Sequence, residues 1–149
     1  MASPFTPPAD RHILESQEMQ SDLLLEQNTN NVEPPVDESR LADITARIRA
    51  LNDAFRQSGT GGRMLMTAGV AALSRDEQLA IVAAVMAFEA FNPGDDQYGE
   101  HDFGALRIAA QRVLFKIDTY DRSGRVHSPD PSDSAVTCRV LTVMLAEEY

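Results

Sequence analysis

The chain has 149 residues, a hydrophobic fraction of 43% and a formal net charge of −10, enough apolar material for one domain core with residues to spare. With 23 acidic against 13 basic residues, broad phosphate binding is disfavoured, because it depends on Lys and Arg releasing counterions. The single cysteine, Cys138, excludes an internal disulfide and a multi-cysteine zinc site.

Residues 1–40 hold 8 acids and only 2 bases, leaving 15 acids and 11 bases for the remainder. This segment, with its "TPPAD" and "NTNNVEPPVDES" breakers, buries too little apolar surface to offset the entropy of ordering. It reads as a disordered acidic arm with a short helix near 12–26, "HILESQEMQSDLLLEQ", able to fold onto a partner or onto its own domain. "MASPFTPPAD" has no basic region followed by an apolar stretch, so it is not a secretory signal, and a cytoplasmic location is the default expectation.

A single α+β domain is expected over 41–149. Leu41, Ile44, Ile48, Leu51 and Phe55 fall on one face of a helix, with Ser39 as its N-cap. "SGTGG" ends that helix and leads into a short strand, "RMLMT". Ser74 and Glu77 form a capping box for a second helix over about 75–91. That helix is apolar on nearly all sides, which predicts a central position. Its longest apolar run, "LAIVAAVMAF" at 79–88, is half of the roughly 20 residues a membrane span needs.

Next, "FGALRIAAQRVLFKIDTYD" predicts a hairpin turning at Ala110 and Gln111, with Leu106 opposite Phe115 and Ile108 opposite Val113. A brief strand at 125–127 and a last helix carrying Val136, Val140, Val143, Met144 and Leu145 complete the domain, with Asp133 or Ser134 as cap. Cys138 is expected as an inert core residue of that helix. The fold class is α+β: a small antiparallel sheet of three to four strands with about three helices on one side.

The stretch "DDQYGEHDFG" at 95–104 is the densest in chemistry-bearing side chains. Extending the hairpin register sets Phe103 opposite Asp118 and His101 opposite Tyr120. His101, Lys116, Asp118 and Tyr120 are then the acid/base candidates, and Glu100, His101, Asp102 and Asp118 the candidate ligands for a divalent metal. The plainer reading is a polar connector with a cross-strand pair. No calcium-loop, phosphate-loop or two-histidine zinc motif is present, and no cofactor is predicted. Arg47, Arg49, Arg56 and Arg63 suggest either a solvated face of the first helix or a small basic strip.

The segments "GGRMLMTAGVAAL", "YGEHDFG", "FKIDTYD", "SPDP" and "RVLTVMLAEEY" resemble the proteobacterial domain-of-unknown-function family 3768, over about 41–149. The resemblance implies a small accessory protein of plasmids or phage-like regions, and it supplies no functional residues. The expected function is therefore a non-enzymatic protein-interaction or regulatory module with an unknown protein partner. The alternatives are a small metal-dependent or acid/base enzyme centred on His101 and Asp118, and an acidic mimic of nucleic acid acting on a host defence protein.

Overall fold

The computed structural model describes residues 37–149. The acidic arm and its expected helix near 12–26 lie outside the described residues. Helix α1, Glu38–Ser58, starts at Asp37, whose carboxylate accepts from the Ser39 N–H at 3.2 Å and the Ser39 hydroxyl at 2.8 Å. The cap is thus Asp37 and not Ser39. Gly59, at φ 71°, ends α1 and donates to the Phe55 carbonyl at 2.8 Å, the left-handed stop that glycine accepts without a Cβ clash.

Strand β1, Gly62–Met66, leads to a one-turn helix α2, Ala68–Ala71, and then to α3, Arg75–Met86. Ser74 caps α3 as expected, accepting from the Glu77 N–H at 3.2 Å. Helix α3 is shorter than expected and not central: only Ile81 and Val85 are buried, and Leu79 is 56% exposed. Among the described residues no helix is long and apolar enough to cross a membrane.

Strands β2, Phe103–Ile108, β3, Gln111–Tyr120, and β4, Cys138–Leu145, complete a four-stranded sheet in the order β1-β4-β3-β2. β4 pairs antiparallel with β3 but parallel with β1, Gly62 opposite Arg139 and Met66 opposite Val143. The fold is α+β as expected, with a mixed sheet in place of an antiparallel one. The expected terminal helix is strand β4, flanked by a 3-10 turn at Ala146–Glu148. Leu141, Val143 and Leu145 point to the core at a period of two, and β-branched Val140, Thr142 and Val143 favour the pleated backbone. The expected strand at 125–127 is only a single bridge, His127 to Tyr120. Asp133, expected to cap a helix, instead closes a loop turn by accepting from the Ala135 N–H at 2.9 Å.

The hairpin turns at Ala109 and Ala110, with Ala109 at φ 52°. Leu106 therefore faces Val113, Ile108 faces Gln111 and Phe103 faces Lys116, two residues away from the expected partners. A shift of two preserves the face of every side chain. Val113, Phe115 and Ile117 point inward, where Phe55, Val70, Ile81, Val85 and Phe88 of the helical layer meet them. The three helices among the described residues thus cover one face. The outward face carries Leu65, Val140, Thr142, Leu114, Lys116, Asp118 and Phe103, each partly or fully exposed.

Candidate functional site around His101

The site is built from α1. Arg49, Asn52, Asp53 and Arg56 follow one another at helical spacing on the side that faces the 85–101 connection. Arg49 donates through Nε to the Gly99 carbonyl, and Asn52 donates through Nδ2 to the Glu100 carbonyl at 3.0 Å. Arg56 is 1% exposed. Its Nη1 donates to the carbonyls of Val85, Met86 and Phe88 at 3.0, 3.1 and 2.9 Å. A guanidinium at the C-terminal end of α3 satisfies its last carbonyls and lies at the negative end of the helix dipole. Its Nη2 meets Asp53 at 2.9 Å, and its Cζ lies 5.2 Å from the Phe91 ring centroid.

Asp53 joins this cap to His101. The imidazole Nδ1 lies 2.8 and 3.0 Å from the two Asp53 oxygens. A carboxylate only accepts, so this geometry assigns the hydrogen to Nδ1. The ring stacks on Phe91 at 3.8 Å between centroids and 3° between planes. The backbone holds the histidine at φ 57°, and its N–H donates to Asp96 Oδ1 at 3.0 Å. Nε2 lies 3.9 Å from Asp96 Oδ2, beyond hydrogen-bond length. On the other side of Asn52, its Oδ1 accepts from Arg139 Nε at 2.7 Å, while Arg139 Nη2 donates to the Pro131 carbonyl. One helix face thereby fixes three separate connections.

The acids around His101 differ in environment. Burial, followed by repulsion from Asp102 and Asp96, pushes the Glu100 carboxyl above its ordinary 4.5. Burial is also the main reason Asp102 stands above its ordinary 3.8, with Asp96 and Asp118 adding like charge. Burial lowers the Arg139 guanidinium, against the pull of Glu100.

The expected constellation is divided. Phe91 packs edge-on against inward-facing Phe115, which places the His101 ring on the helical side of the sheet. Lys116 and Asp118 alternate with Phe115 and Ile117 and pair with each other on the outward face at 3.3 Å. Tyr120 shares that outward side and faces Cys138 across the ladder. His101 therefore finds its carboxylate in Asp53, 48 residues upstream, and not in Asp118. Among the described residues no three His, Cys, Asp or Glu side chains are gathered where they could hold a metal ion. Of the four candidate ligands, Glu100, His101, Asp102 and Asp118, Asp118 lies on the outward face and His101 on the helical side. Arg49 and Arg56 do not form a basic strip either, since both are occupied by backbone carbonyls.

The fold and this network define a small α+β domain whose first helix is locked to the loops by inward polar side chains. Residues 66–148 match the family model described as "Protein of unknown function (DUF3768)", and the chain belongs to that family. The match takes in α2, α3, all of β2, β3 and β4, and His101, whereas α1 with Asp53 and Arg56 precedes it. No curated protein and no solved structure matches the chain.

Proposed function

We propose that this domain is a non-enzymatic protein-interaction or regulatory module. The observation that carries the reading is the use to which the polar residues are put. Arg49, Asn52, Asp53, Arg56 and Arg139 each close on a carbonyl or a charged neighbour of the same domain. Their chemistry holds loops in place, while among the described residues all three helices pack on the opposite face of the sheet from Leu65 and Val140. Co-purification of the tagged full chain tests this. The expected result is a stoichiometric partner that is lost when Leu65 and Val140 on the outward face are changed to Asp. Recovery that is indifferent to those changes would count against the reading.

A second reading, a small acid/base enzyme, draws on one specific arrangement. Asp53 orients the His101 ring through Nδ1, leaving Nε2 as the side that would take a proton. A hydrolase screen with wild type and His101→Gln decides it. Activity abolished by that change, with the amide spectrum otherwise intact, would favour the enzyme.

A further inference from the structure

A second feature lies where the 94–98 loop meets the start of β2. Asp95, Tyr98, Asp102, Phe103 and Tyr149 line an open cleft of about 280 Å³. Tyr98 is 70% exposed and Tyr149 76% exposed, and the Phe103 and Tyr149 rings lie 5.8 Å apart, tilted by 58°. Among the described residues no Lys, Arg or His comes within salt-bridge distance of Asp102. The neighbouring charges of Asp96 and Asp118 are of the same sign. Lys116 stands across the ladder from Phe103, but its ammonium is engaged by Asp118 at 3.3 Å.

We propose that this cleft receives a cationic side chain, a lysine or arginine presented by a basic segment of a partner protein. Aromatic faces attract an ammonium or guanidinium through the ring quadrupole. A half-buried carboxylate among like charges gains most from a cation brought to it. The volume is just below the roughly 300–1,000 Å³ of small-molecule pockets, and it suits one side chain delivered by a larger partner. The overall charge of −10 draws such a partner in and makes association sensitive to salt. This rests on the reading of the domain as a binding module and commits that reading to a partner chemistry.

The test uses isotope-labelled full chain titrated with three glycine-flanked pentapeptides, centred on arginine, lysine or glutamate. The basic peptides should move the amides of 94–98, 102, 103 and 149, while the glutamate peptide moves none of them. Affinity should fall about fivefold or more in Tyr98→Leu and in Asp102→Asn. Both variants alter the surface or relieve repulsion, so their spectra elsewhere should match wild type. Three results would overturn the assignment: no movement with basic peptides, movement spread evenly over the acidic surface, or affinity unchanged in both variants. If the co-purified partner is retained by those two variants, the cleft assignment falls and the binding-module reading stands. Loss of a partner through Leu65 and Val140 alone leads to the same conclusion.

Discussion

Arg56 is the residue on which most of the site depends. It joins α1 to the end of α3, supports Asp53 and lies against Phe91 and Phe115. Replacing it with Met keeps much of the volume but removes the guanidinium donor from three carbonyls and leaves Asp53 with His101 alone. Chemical denaturation of Arg56→Met should show a loss of roughly 3–5 kcal/mol, as expected when one partner of a buried charge network is removed. Glu100 behaves in the opposite way. Its folded pKa is raised, so its charge opposes folding once pH exceeds the ordinary carboxylate value of 4.5. Glu100→Gln should therefore melt higher than wild type near neutral pH, and the two curves should converge as pH falls to about 4. Glu148 has the reverse sign. Hydrogen bonds from Thr67, Leu145 and Gly69 lower its pKa, so its contribution is present near neutrality and disappears as acid protonates it.

Among the elements, the hairpin is the most demanding. Gly104 sits opposite Phe115, and a Cβ there would run into the Phe115 and Phe88 rings. Gly104→Ala should cost roughly 1–3 kcal/mol through overpacking, read as a lower melting temperature with unchanged far-ultraviolet dichroism. The same elements explain what could be read in advance. Helix α1, the Ser74 cap and the facing of the hairpin side chains follow from spacing alone, because each depends on neighbours a few residues apart. The hairpin register did not follow, since Ala109 in the left-handed region carries no glycine or asparagine to mark it. Strand β4 was hidden by Arg139, a charged residue at an inward position, and by the helix-like "AEE" that follows. The site was legible only in part. His101 stands out in the sequence, but Arg56 reads as part of a solvated helix face and Asp53 carries no signal of its own, because their partners are set by tertiary packing.

Across the whole molecule, stability should be graded around β4, which has a strand on each side and carries fully buried Leu141 and Val143. Hydrogen exchange should be slowest at the β4 and β3 amides that face each other and faster along β1 and β2, the two edges. Uniform protection across the sheet would contradict this. The helical layer adds to the gradient, since α1 buries Ile48, Asn52, Phe55 and Arg56 while Leu41, earlier on the same helix, is 50% exposed. The first half of α1 should open well before the second.

The parallel pairing of β1 with β4 also has a consequence in time. A ribosome delivers Gly62–Met66 early and Arg139–Val143 late, yet these are ladder partners. Until the last strand emerges, "GRMLM" is an apolar edge with nothing to pair against. Closing so long a loop is slow, and such an edge invites other chains. The nascent domain therefore completes its sheet only after nearly all of it has been made, and that interval is when a chaperone would be of most use to it.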